Sequence, residues 1–106
     1  MIYMAFIYLI SNIDNDNICK IGVTKYKNID KRKKELQTGS SNELYIRNYF
    51  ETKYPYKLEK MLHRHFNDKN LLNEWFDLTN EDINNFINTC DKYENILLSL
   101  KDNPFF

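Results

Sequence analysis

Tyr8, Arg32 and Glu59 carry a phenol, a guanidinium and a carboxylate, and those groups could act together if a sheet and two helices converge. Hydrolysis of a phosphodiester needs an oriented water, a group to take its proton, a carboxylate to hold a divalent cation, and a cation facing the charge that gathers on the phosphate. One carboxylate is enough for Mg²⁺, which keeps several waters and takes substrate oxygens. Each residue also has an ordinary reading. Tyr8 lies in an apolar run and suits a core position, and Lys20, between Cys19 and Ile21, suits a strand edge where its charge reaches solvent. Arg32 is one of four consecutive cations, Lys31 to Lys34. Such a run is ordinarily a solvated face, yet at the start of a helix it fits a phosphate backbone better than an acidic substrate. Glu59 and His63 are four apart and would be neighbours on a helix. His63 and His65 would point to different sides and make a poor metal pair.

The elements that must position these groups can be read from patterning. Residues 2–10 are almost continuously apolar and rich in strand formers, which predicts a central strand. The polar stretch Ser11 to Asn17 carries turn residues, and Ile18 to Val23 resumes a strand pattern, closing an antiparallel hairpin with Tyr8 and Lys20 side by side. Asn28 or Asp30 can cap a helix over residues 29–37 that stops at Thr38-Gly39-Ser40. Glu43 to Phe50 alternates as a third strand. Pro55 opens a helix in which Leu58, Met61, Leu62 and Phe66 form an apolar stripe. Leu71 to Leu78 reads as a short extended or turn segment with buried aromatics. Thr79 caps a last helix whose core side carries Ile83, Phe86, Ile87, Cys90, Tyr93 or Glu94, Ile96, Leu97 and Leu100, ended by Pro104.

The chain has 106 residues and a formal net charge of zero. One domain over residues 1–100 with a tail at 101–106 follows from that length, and any electrostatic footprint for nucleic acid must be local. Cys19 and Cys90 show neither a zinc-binding spacing nor a disulfide framework, which fits a reducing, intracellular setting. No apolar run approaches the ~20 residues that span a bilayer, and the first ten residues lack a basic leader and a cleavage site. A soluble protein without membrane association is expected. The abundance of Asn, Lys, Ile, Tyr and Phe fits an A/T-rich coding sequence.

Phe6-Ile7-Tyr8, then Lys20-Ile21-Gly22, then a helix with Arg32 running into Leu36-Gln37-Thr38-Gly39, form an ordered series. It continues with Leu58-Glu59-Lys60-Met61-Leu62-His63-Arg64-His65-Phe66 and Glu74-Trp75-Phe76. Over residues ~5 to ~90 this series resembles the GIY-YIG nuclease superfamily, and in particular its compact branch in phages, large DNA viruses and bacteria. The resemblance implies an α+β fold, a three-stranded antiparallel sheet flanked by three helices in the order β-β-α-β-α-α. It implies a single Mg²⁺ or Mn²⁺ held by Glu59. Tyr8 matches the tyrosine beside the attacking water, Lys20 stands where many relatives have tyrosine, Arg32 matches the arginine that contacts the scissile phosphate, and His63 matches a motif position suited to orienting water or phosphate. Trp75 and Phe76 are assigned to packing. Two departures stand out: Phe6 replaces the first glycine of the leading motif, where its bulk could narrow the site, and Leu36 stands where several relatives carry histidine.

The function expected is metal-dependent endonucleolytic hydrolysis of DNA, duplex or branched. Tyr8, Lys20, Arg32, Glu59 and His63 are its catalytic residues, and Lys25, Lys31, Arg32, Lys33 and Lys34 are its contacts to nucleic acid. Sequence specificity would have to come from loops, a homodimer or a separate targeting partner. Two alternatives compete: a nucleic-acid-binding module with weak or lost catalysis, and a protein-interaction domain that docks a partner through exposed Tyr and Phe, including Phe105-Phe106.

Overall fold

Three long strands arise from the three apolar segments expected to make them: β1 (Ala5–Asn12), β2 (Asn15–Thr24) and β3 (Leu44–Thr52). The computed structural model describes residues 5–25, 31, 34, 37 and 43–104. The hairpin between β1 and β2 is tighter than the expected seven-residue loop, because only Ile13 and Asp14 form the turn. Polar side chains satisfy the backbone there. Asn12 Oδ1 accepts from the Asp14 N–H at 2.9 Å, and Ser11 Oγ donates to the Asp16 carbonyl at 3.1 Å, so both strands run on through residues that pattern alone reads as loop.

β1 is hydrogen-bonded on both sides, antiparallel to β2 and to β3, and its near-continuous apolar sequence follows from that central position. Ile7 and Leu9 face a large core with Cys19, Ile21, Leu58, Leu62, Phe66 and Phe76. Tyr8 and Ile10 face a smaller cluster with Leu44, against which Ile46 and Trp75 pack. A register shift opposite Leu9 and Ile10 skips Arg47. That bulge resets side-chain parity, so Ile46 pairs with Ile10 and Tyr49 with Tyr8 on one face,.

The sheet has five strands, not three, in the order β3-β1-β2-β5-β4. The two additional strands are β4 (Asn70–Leu72) and β5 (Trp75–Asp77), a short hairpin turned at Asn73, whose φ is 53°. Asn tolerates this left-handed conformation better than most residues. β5 pairs with β2 in the register Ile18↔Asp77, Cys19↔Phe76, Lys20↔Trp75. Backbone bonds from Leu78 N to Asn17 O, 2.9 Å, and from Ile21 N to Glu74 O, 3.1 Å, extend the attachment. Three residues per strand are too few for alternation to declare itself, which is why Leu71 to Leu78 reads only as extended or turn.

The large core is covered by α1 (Pro55–His65), α2 (Asn80–Asn84) and α3 (Phe86–Ser99). Pro55 opens α1 as expected, and Leu58 and Leu62 are buried from its apolar stripe. Thr79 caps α2 reciprocally: its hydroxyl accepts from Asp82 N–H while Asp82 accepts from Thr79 N–H,. The expected single last helix is two, interrupted at Asn85, and α3 ends at Ser99, ahead of Pro104. A Thr52 hydroxyl donated to Glu94 Oε1 at 2.6 Å ties the end of β3 to α3. Lys31, Lys34 and Gln37 are helical, and Gln37 Oε1 accepts from Leu44 N–H at 2.8 Å. The remainder of the helix expected over 29–37, with its Gly39 terminus, and Phe105-Phe106 lie outside the described residues. Among the described residues no helix is long and apolar enough to cross a membrane.

Candidate functional site

β5 is shorter than β2, so beyond the backbone bond from Ile21 N to Glu74 O the outer edge of β2 is left to side chains from α1 and from the turn preceding β5. The Ile21 carbonyl on that edge meets His63 Nε2 at 2.9 Å. A carbonyl oxygen has no proton to give, so Nε2 must donate, and in a neutral ring Nδ1 then keeps the lone pair. Phe76 holds the imidazole edge-on, with ring centroids 5.1 Å apart. Glu59, one turn earlier on α1, lies beside it, and Glu74 arrives from the β4–β5 turn. One ligand atom from each of Glu59, His63 and Glu74 lies within 4.8 Å of the others, and all three residues are half-buried.

The charges at this edge are unevenly balanced. Lys20 Nζ lies 3.4 Å from Glu74 Oε2 and 6.0 Å from the centroid of the Trp75 ring, and its side chain is only 18 % exposed. Burial first, and then the charge of Glu74 beside it, push the Glu59 carboxyl above the ordinary carboxylate value. A hydrogen bond that the protonated Glu59 carboxyl gives to Glu74 adds to this, and His63 and Lys20 pull it back. Two carboxyls therefore share a single ammonium and an imidazole, and burial together with their mutual repulsion makes Glu59 the harder to ionise,.

Tyr8 lies one strand in from this edge, on the face of the sheet opposite the one α1 covers. It pairs with Gly22 on β2, while Lys20 pairs with Ile10, so phenol and ammonium are diagonal neighbours on one face, not directly opposed. The Tyr8 ring lies across Gly22. A Cβ built there would overlap its hydroxyl and Cζ, so the glycine of Lys20-Ile21-Gly22 is needed for space. No left-handed backbone requires it. Phe6 packs edge-to-face on Tyr49 of β3, with centroids 5.9 Å apart. Tyr49 lies across β1 from Gly22, so that contact turns the bulk of Phe6 away from the site edge.

Of the residues expected to carry chemistry, Glu59, His63 and Lys20 gather at this edge and Tyr8 lies one strand in. Arg32 and Lys33 lie outside the described residues. Lys25, Lys31 and Lys34 are exposed. His65 turns away from His63, with Nδ1 2.7 Å from the Tyr93 hydroxyl. Phe76 is buried and Trp75 packs against the Tyr8 cluster, as their assignment to packing requires. Glu74 is the residue that pattern reading passed over. Its signal was a carboxylate directly before two packing aromatics, in a segment where no other role calls for a charge. On the adjacent side of α1, Lys57, Lys60 and Arg64 line a groove of about 500 Å³ floored by Met61, Leu97 and Leu100.

The family described as the T5orf172 domain matches residues 5–91, and the chain belongs to it. Those bounds enclose β1 through the first turns of α3, and so every residue of the site. Comparison with curated proteins and with solved structures gave no match.

Proposed function

We propose that this member of the T5orf172 domain family is a metal-dependent endonuclease that hydrolyses phosphodiester bonds in DNA, built on the GIY-YIG plan. The observation that carries the reading is the meeting of Glu59 and His63 from α1, Glu74 from the β4–β5 turn and Lys20 from β2 at one sheet edge, a strand away from a phenol lying over Gly22.

The donor set fits a divalent ion: two carboxylates and an imidazole whose other nitrogen is committed to a backbone carbonyl,. An ion held there, Mg²⁺ or Mn²⁺, supplies Lewis-acid stabilisation of the charge that grows on the phosphate. The chain's own residues do the remainder. Lys20 orients the attacking water and takes part in moving its proton as the water oxygen bonds to phosphorus and the P–O bond to the leaving sugar oxygen breaks, while Tyr8, fully buried with its ring across Gly22, positions the strand that carries Lys20. Arg32, next to Lys31 in the sequence, meets the non-bridging oxygens of the scissile phosphate. Lys25, Lys31, Lys33 and Lys34, joined by Lys60 and Arg64 on the side of α1 next to Glu59 and His63, contact the flanking backbone.

The test is cleavage of plasmid DNA by the purified chain in Mg²⁺ or Mn²⁺. Glu59→Ala and Arg32→Ala should each lower the rate by ~10²-fold or more, the scale seen when one charge-stabilising group is removed. A folded wild-type chain that cuts neither DNA nor RNA with any divalent ion refutes the reading. Salt-dependent DNA binding in that same sample would leave a binding module in its place.

A further inference from the structure

We propose that Glu59, His63 and Glu74 together form a site for a first-row transition-metal ion, and that the incoming ion replaces the Lys20 ammonium as the partner of Glu74. This deepens the nuclease reading and rests on it for what the ion does, but the binding itself can be measured alone.

The ligand atoms argue for the set. Two donors on one ion at ~2.1 Å are never more than ~4.2 Å apart, and a mutual separation within 4.8 Å is closed by small side-chain rotations. His63 is held in orientation from two sides, by the Ile21 carbonyl and by Phe76. A ligating histidine is characteristically fixed this way, through its second nitrogen. The mixture argues for the class of ion: oxygen donors alone suit Mg²⁺, whereas an imidazole favours the first-row transition ions, with affinity rising from Mn²⁺ through Co²⁺ to Cu²⁺. Lys20 completes the picture. Its ammonium stands 3.4 Å from one Glu74 oxygen, and a doubly charged ion at Glu74 competes directly for that oxygen. The ammonium displaced would be left on the Tyr8 face, free to serve a phosphate.

Isothermal titration calorimetry of the whole chain with CoCl₂, MnCl₂ and MgCl₂ tests this without any substrate, and the Co²⁺ visible spectrum reports ligation by nitrogen. Wild type should bind Co²⁺ at least ~10-fold more tightly than Mg²⁺. Glu74→Gln should weaken Co²⁺ by ~10- to 100-fold, the range typical of disturbing a metal site's surroundings. His63→Gln, which offers an oxygen in place of nitrogen, should collapse the contrast between Co²⁺ and Mg²⁺. Lys20→Met should tighten binding several-fold, a direction that a damaged fold cannot mimic, so the pair Glu74→Gln and Lys20→Met decides the matter even if His63→Gln fails to fold. Equal affinity for Co²⁺ and Mg²⁺ in wild type, or wild-type affinity in Glu74→Gln, overturns the proposal. Cleavage in Mg²⁺ alongside either result would leave the nuclease reading standing. Tight Co²⁺ binding through these residues without cleavage of any nucleic acid would sink that reading and leave this one.

Discussion

Replacing Gly22 with alanine adds one methyl group at the point where strand geometry and chemistry meet. That methyl would lie inside contact distance of the Tyr8 hydroxyl and Cζ and 3.0 Å from Cε1. No positive φ is involved, so alanine is not disfavoured by the backbone, and within a strand it should gain roughly 0.5–1 kcal/mol over glycine. Overpacking works against it at about 1–3 kcal/mol. The ring has little room to yield, because Tyr8 is 0 % exposed and shares its cluster with Ile10, Leu44 and Trp75. The net expectation is destabilisation by about 0.5–2 kcal/mol, a fall in melting temperature of roughly 2–12 °C for a domain of this size. Thermal and urea denaturation of Gly22→Ala, Tyr8→Leu and the double variant read the interaction directly. With the phenol gone, the methyl has space, so Gly22→Ala should be neutral or stabilising in the Tyr8→Leu background, giving a coupling of about 1 kcal/mol or more. Strict additivity, or a Gly22→Ala variant as stable as wild type, would refute the view that this glycine exists to seat the phenol.

Three further outcomes are expected. Because burial and then Glu74 raise the Glu59 carboxyl, its ionised form weakens the metal-free fold, and stability is lost as pH rises from the ordinary carboxylate value through the raised one. Glu59→Gln should remove that loss and stabilise the metal-free chain at pH 7.5 by ~0.5–2 kcal/mol, the scale common for single stabilising changes, as calorimetric melting would show. Burial pushes Asp82 up, but Lys69, 2.6 Å away, and the Thr79 amide and hydroxyl outweigh it and hold the carboxyl below its usual range. Its contribution is therefore present above the ordinary carboxylate value and lost as pH falls through the lowered one, and Asp82→Ala should cost about 1–2 kcal/mol at pH 7 through the lost cap, with much less difference in urea midpoint at low pH. If Lys60 and Arg64 contact phosphates, their joint replacement by alanine should reduce the slope of log affinity against log salt by up to roughly 2, measured by fluorescence anisotropy on duplex DNA, with base preference unchanged.

What could be read from sequence follows the length over which a pattern repeats. β1, β2, β3 and α1 each run for eight residues or more, long enough for apolar runs, alternation or the i, i+3, i+4 stripe to identify them, and Pro55 and Thr79 mark their helix starts by local chemistry. Glu59 and His63 followed at once, since four residues on a helix is a spatial statement. Boundaries set by side-chain-to-backbone bonds were hidden: Asn12 and Ser11 look like loop and behave as strand, and the break at Asn85 leaves no mark in the apolar spacing of Ile83, Phe86 and Cys90. The bulge at Arg47 was also silent, although it is the reason Ile46 and Tyr49, of opposite parity, share a face.

The missing strands and the missing carboxylate are one omission. β5 carries no periodicity because three residues cannot show any, so nothing indicated that the turn before it would stand beside Lys20. Yet that pairing is what turns Lys20 from an edge residue exposed to water into one 18 % exposed and matched to a carboxylate. An edge lysine needs no partner; a largely buried one does. The oddity of a lysine between Cys19 and Ile21 was therefore already a demand for an acidic residue from elsewhere in the chain, and the strongest candidates were carboxylates flanked by packing aromatics. Glu74, directly before Trp75 and Phe76, meets that description. The same reasoning assigns the hairpin its purpose: by capping only the first half of the β2 edge, it leaves the Ile21 carbonyl for His63 and sets Glu74 where α1 can reach it. Lengthening β5 by pairing through Gly22 would close the edge and bury the site.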